Sequence, residues 1–309
     1  MVPTPPTAAS SHELRLSGAG LQLAATCHGD CEAPATVLFA HGFGQTRRAW
    51  TGSATAVARH GHRALAYDAR GHGGSDRNPA DLVYTAQQFI DDLIVVAGEL
   101  PRPPVLVAAS MGGLFGLCAE ARWPGLFRAM ILVDITPRWE PAGMQRILAF
   151  ISAFPQGFAS LDEAADAIGA YMPGRARKSE AALREVLRQH DDGRWHWHWD
   201  RRLLDELARD GERHQDDLAD AARAVRCPLL LLSGGRSDLV SADTVNEFLG
   251  LAPHARHVRI ADATHMLAGD DNDRFTATLL DYLGELDGMG NTGRCAAPTD
   301  PASVNGALP

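Results

Sequence analysis

The chain has 309 residues, 45% hydrophobic and 22% charged, and its 38 acidic side chains outnumber 29 basic ones to give a formal net charge of −9. That length suits one large domain or two ordinary ones, and the composition excludes a disordered chain or a small disulfide-stapled module. The acidic balance argues against a nucleic-acid partner, which needs a basic face. Five cysteines, an odd number, do not make a disulfide framework, so free thiols and a cytoplasmic location are expected. Cys27-His28-Cys31 has no second pair at ligand spacing, so no metal is expected there. The longest apolar runs, Leu93–Ala97 and Leu229–Leu232, are far below the ~20 residues of a membrane helix, and no membrane partner is expected.

In chain order, Met1–Ser10 is rich in Pro, Thr and Ala without a signal-peptide pattern. Glu13–Ser17 and Leu21–Thr26 read as a hairpin around Gly18-Ala19-Gly20. Strands are expected at Thr36–Ala40, Arg63–Asp68, Val105–Ala109 and Ala129–Asp134, with helices at Arg47–His60, Thr85–Leu100 and Leu114–Arg122 between them. Strand–helix alternation resumes at Leu229–Ser233, Ala242–Leu251, His257–Ile260 and Arg274–Leu286. Continuous apolar strands separated by helices imply an α/β fold with a mostly parallel sheet covered on both faces. Between Ile135 and Arg226 the alternation stops, and Ser160-Leu161-Asp162-Glu163 reads as a capping box. The expected organisation is therefore a tail (1–12), a core (13–134 and 227–287), a helical cap (135–226) inserted after the sixth strand, and a disordered tail (288–309).

Three features carry chemistry. Ser110 follows the strand Val105–Ala109 and opens a helix through Gly112-Gly113, in Ala108-Ala109-Ser110-Met111-Gly112. A nucleophile on so sharp a strand-to-helix turn needs small neighbours two positions either side; alanine replaces the usual first glycine here. An ordinary N-cap serine is the competing reading. His41-Gly42-Phe43-Gly44 directly follows the strand Thr36–Ala40, and the amides of Phe43 and Met111 are the expected oxyanion donors. Arg47 stands where a dinucleotide loop would need glycine, and no phosphate-loop lysine motif follows. His265, beyond the strand His257–Ile260, is the expected general base, and Asp238, after the preceding strand, is its expected acid partner. Asp134 is the alternative acid. The order serine, acid, histidine is one of three known solutions to this geometry.

With Asp68-Ala69-Arg70-Gly71-His72-Gly73-Gly74-Ser75 and the loop Ala263-Thr264-His265-Met266, these motifs resemble the α/β-hydrolase fold family, in its esterase-like branch with a serine nucleophile, over roughly Glu13–Leu286. The resemblance implies a cofactor-free serine hydrolase of small to medium hydrophobic esters or lactones, with Ser110, Asp238 and His265 catalytic, and with Asp68 and His72 structural. A carbon–carbon bond hydrolase or a cofactor-free haloperoxidase with the same residues is an alternative, as is a silent ligand-binding protein on that scaffold. In the insertion, Trp139, Phe150, Phe154 and Trp197 are candidates for an apolar substrate wall; packing of the insertion onto the core is the plainer account of the same aromatics. The segment Trp195-His196-Trp197-His198-Trp199, if extended, would place its three indoles on one side. A small-molecule substrate is the expected partner, with a homodimer possible.

Overall fold

The computed structural model describes residues 10–33, 35–172, 175–205, 214–265, 267 and 273–290. Most of the expected terminal tails, and Met266 of the histidine loop, lie outside the described residues.

Strands β1 (Ser11–Ser17) and β2 (Gln22–His28) form the expected hairpin. Then come β3 (Thr36–Ala40), α1 (Thr51–Arg59), β4 (Arg63–Tyr67), α2 (Ala86–Gly98), β5 (Val105–Ala109), α3 (Met111–Arg122) and β6 (Ala129–Val133). The inserted segment carries α4 (Pro141–Ser152), α5 (Leu161–Tyr171), α6 (Glu180–Val186), β7 (Leu187–Gln189) and β8 (Trp195–Trp197). After it follow α7 (Gln215–Ala224), β9 (Leu229–Gly234), α8 (Ala242–Leu251), β10 (Arg256–Ile260) and α9 (Asp273–Gly290).

Eight strands form one sheet in the order β1-β2-β4-β3-β5-β6-β9-β10, with only β1 and β2 antiparallel to their neighbours. Every residue of β3, β5, β6 and β9 is buried, as their unbroken apolar sequences require once helices cover both faces. One face packs Leu38, Leu65, Leu106, Met130 and Leu231 beneath α2, α3 and α7. The other packs Val37, Phe39, Val107, Ile131 and Leu232 beneath α1 and α9, around Trp50 and Phe275. Each such leucine or phenylalanine removed from water contributes about 1.5–3 kcal/mol.

Three expectations change. The insertion is not wholly helical: β7 and β8 pair antiparallel, because Trp195 and Trp197 face a small cluster of Phe158, Leu183 and Leu187. Its last helix, α7, sends Leu218, Ala221 and Ala222 into the main core, so the core resumes before residue 227. Cys27 and Cys31 are joined as a disulfide rather than left as thiols; β2 and the turn after it bring the two side chains together. Cys118 and Cys227 are free.

Candidate active site

β5 ends at Ala109, and the chain reverses into α3 at Ser110, whose φ is 45° and ψ −118°. Only a tight packing of strand, helix and loop holds a serine in that region. The Ser110 amide donates to Val133 O (3.2 Å), and its carbonyl accepts from the amides of Gly113 (2.9 Å) and Leu114 (3.1 Å). Gly112 is required by close approach, since a Cβ there would stand 2.8 Å from Ala40 O and 2.9 Å from His41 O. Ala108, on the other side, is fully buried, so its methyl packs within the core where the usual pattern has glycine.

Asp134 leaves β6 with φ 50°; it and Ser110 are the non-glycine residues with positive φ among the described residues. Its side chain is fully buried and receives three donors. Oδ1 accepts the Gly234 amide at 2.7 Å, and Oδ2 accepts the Ser237 hydroxyl at 2.5 Å and His265 Nδ1 at 2.8 Å. A buried carboxylate needs such partners, and each hydrogen bond to a charged group contributes about 1.5–3 kcal/mol. With Nδ1–H committed to Asp134, Nε2 of His265 is the basic nitrogen. The His265 side chain is 16% exposed, and it borders the same cavity as Ser110.

The expectation for Asp238 is therefore corrected: Asp134, not Asp238, meets His265. The Ser237 hydroxyl accepts the amides of Leu239 (3.2 Å) and Val240 (3.1 Å), and this turn carries Asp238 toward the inserted helix α4. There Asp238 makes an ionic contact with Arg146, whose guanidinium lies 5.3 Å from the centre of the Tyr171 ring. The end of β9 and the turn after it thus hold Asp134 with Gly234 and Ser237 and hold the insertion with Asp238.

The loop after β3 is held group by group. Gly42 N–H donates to Gln45 Oε1 (3.0 Å), and Gly42 O accepts from His41 Nδ1 (2.8 Å) and Gln45 N–H (3.1 Å). Gly44 N–H donates to His72 Nε2 (3.3 Å), and Gly44 O accepts from His198 Nε2 (3.1 Å). The amides of Phe43 and Met111 make no hydrogen bond among the described residues, and both residues border the cavity. Burial pushes His41 below its ordinary pKa and His72 well below it, and lowers His198 to about 4, so all three imidazoles are neutral near pH 7.

The cavity has a volume of about 1640 Å³. Of the aromatic candidates, Trp139, Phe150 and Trp197 border it, together with Trp199, Met144 and Ile147. Phe154 does not: its ring packs 4.5 Å from that of Phe158 inside the insertion's own cluster. Trp195 also turns away, beneath the Arg184 guanidinium, because the fold splits the three indoles between cluster and cavity. Among the described residues no group of three metal-ligating side chains forms, and no helix is long and apolar enough to cross a membrane. His198 belongs to no motif of the sequence; its place in alternation with tryptophans was the only signal available.

Comparison with known proteins agrees with this architecture. The chain is 27% identical over 251 residues to a 3-hydroxybutyrate-oligomer hydrolase of Cupriavidus necator, spanning 77% of this chain and 84% of that protein. It is 30% identical over 246 residues to the esterase Rv0045c of Mycobacterium tuberculosis, spanning 77% and 78% of the two chains. A solved structure of that esterase superposes with a TM-score of 0.71 at 27% identity, covering 90% of this chain and 93% of its own. The structure of E-2-(acetamidomethylene)succinate hydrolase superposes with a TM-score of 0.77 over 89% of this chain and all of its own, at 22% identity, a likeness of fold. Residues 37–278 match the alpha/beta hydrolase family, and on that match, the sheet order and the strained turn at Ser110, the chain belongs to the alpha/beta hydrolase family.

Proposed function

We propose that the protein is a serine hydrolase of carboxylic esters, with Ser110 as nucleophile, His265 as general base and Asp134 as the acid that orients it. The observation that carries this reading is the 2.8 Å contact between His265 Nδ1 and a buried Asp134, with Ser110 on a strained turn beside the same cavity. Ser110 Oγ attacks the ester carbonyl while His265 Nε2 takes its proton. The amides of Phe43 and Met111 receive the oxyanion; a donor of this kind is worth ~2.7–4 kcal/mol in the transition state. His265 then protonates the leaving alcohol, and a water activated by the same nitrogen releases the acid from the acyl-enzyme. The reaction requires no cofactor.

The names of the esterase and oligomer-hydrolase relatives support an ester substrate, and the cavity wall of Trp139, Met144, Ile147, Phe150, Trp197 and Trp199 suits a hydrophobic acyl or alkyl group. A fluorophosphonate probe tests the assignment directly. Labelling and p-nitrophenyl ester turnover are expected in the wild type, with both abolished in Ser110→Ala. An unlabelled wild type that turns over no ester or lactone would point to a ligand-binding role.

A further inference from the structure

The inserted segment reaches the oxyanion loop through two neighbouring side chains, His198 and Trp199. His198 is 2% exposed, and its Nδ1 accepts the Gly73 amide at 2.8 Å while its Nε2–H donates to the Gly44 carbonyl at 3.1 Å. Its own backbone is held on both sides: its amide donates to Val186 O (3.0 Å) within the insertion, and Arg77 donates to its carbonyl (3.2 Å) from the core. The next residue, Trp199, packs its ring 5.1 Å from Phe43 and lies against Gly44, where a Cβ would meet Trp199 Nε1 at 3.6 Å. Asp200 N–H then donates to Gly71 O (2.8 Å), and the Tyr84 hydroxyl donates to the Asp200 carboxylate (2.9 Å).

Gly44 has φ of 72°, a conformation that glycine adopts without steric cost but that its lack of a side chain does not by itself fix. His72 from the core takes its amide, and His198 from the insertion takes its carbonyl. The Gly42 carbonyl is already held by His41 and Gln45. With these bonds made, the Phe43 amide is left without a hydrogen bond among the described residues, and Phe43 borders the cavity.

We propose that His198 is a positioning residue for the oxyanion-binding amide of Phe43, acting through the Gly44 carbonyl, so that docking of the inserted segment and assembly of the oxyanion site are one event. This assignment rests on the ester-hydrolase reading. It gives the insertion a part in the chemistry as well as in forming the cavity wall. The neutral state of the imidazole, maintained by burial, is what allows one nitrogen to accept from Gly73 while the other donates to Gly44.

Three replacements separate positioning from mere filling of space. His198→Gln keeps a donor near the place of Nε2, His198→Asn keeps an acceptor near the place of Nδ1, and His198→Leu fills the volume with neither. With a p-nitrophenyl ester, H198Q is expected to retain kcat within about threefold. H198N is expected to lose kcat by ~10–100-fold at nearly constant KM, part of the ~100–1000-fold that losing a whole oxyanion donor costs. H198L stands in should H198N fail to fold, with the same loss expected. Thermal unfolding of each variant shows whether a lost kcat accompanies an intact fold. Equal kcat in the folded variants, or a change confined to KM, overturns the assignment while leaving the ester-hydrolase reading in place. A wild type inert to every ester and to the fluorophosphonate probe overturns both.

Discussion

Ser110 and Asp134 share a positive φ that no other described non-glycine residue adopts, 45° and 50°, and they directly follow the adjacent, register-paired strands β5 and β6. Holding either residue there costs about 1–3 kcal/mol, which the buried strands on either side absorb. The Ser110 amide donates to Val133 O, one residue before Asp134, so the two strained turns are tied together.

The first prediction concerns which carboxylate serves the imidazole. Asp134→Asn is expected to lower kcat by ~10⁴, because the amide oxygen stays on the Gly234 N–H and the NH2 group then donates to His265 Nδ1, favouring the wrong tautomer. Asp238→Asn is expected to leave kcat within about threefold. Steady-state kinetics on one ester decides the matter, and the opposite pattern would return the acid role to Asp238.

The link between Asp238 and the insertion makes a second prediction. A Cβ on Gly143 would stand 2.1 Å from Asp238 O, so α4 approaches this loop as closely as a glycine allows. Gly143→Ala is expected to push the helix outward at a cost of about 1–3 kcal/mol in stability. Because Met144, Ile147 and Phe150 of α4 border the cavity, KM for a long acyl ester is expected to rise more than for an acetate. Equal changes for both esters would separate α4 from substrate binding.

Ala108 and Gly112 test the strained turn. Ala108→Gly restores the more usual residue, yet is expected to leave kcat unchanged and to reduce stability by about 0.5–1 kcal/mol through lost strand rigidity. Gly112→Ala is expected to reduce kcat at least ~10-fold at unchanged probe concentration, since its methyl meets the carbonyls of Ala40 and His41 and displaces Ser110. A gain of activity in Ala108→Gly would mean that the alanine strains the turn after all.

The buried imidazoles set a pH dependence of stability. His198 has a folded pKa of about 4 against an ordinary value of 6.5, with burial as the main cause. The Gly44 hydrogen bond and Asp68 act in the opposite direction, while His41 and Arg188 add to the lowering. Below pH 6.5 the unfolded chain takes up a proton that the folded chain refuses, so stability falls as the pH drops from 6.5 toward 4. The contribution of His198 over that window is about 3 kcal/mol. Urea unfolding at pH 7, 5.5 and 4.5 is expected to show the fall, and His198→Gln is expected to flatten it. His41 and His72, both lowered, add in the same direction, so some slope remains in that variant.

Much of this protein is written locally. The unbroken apolar runs of β3, β5, β6 and β9 can be stable only inside a covered parallel sheet, so fold class follows from strand composition alone. Ser110 between small residues, the glycines at Gly42 and Gly44, and His265 after the last strand are equally local signals, because each depends on what the backbone does within a few residues. Other features depend on how loops from distant parts of the chain pass one another. Asp134 and Asp238 both follow sheet strands, and only the path of the turn at Ser237, closing on one carboxylate and swinging the other toward α4, decides which meets the imidazole. The division of Trp195, Trp197 and Trp199 between cluster and cavity, and the reach of His198 to Gly44 across 154 positions, are likewise products of packing. Periodicity records which face a side chain takes; it carries no information about the neighbour waiting on that face, and that was decided by the tertiary structure.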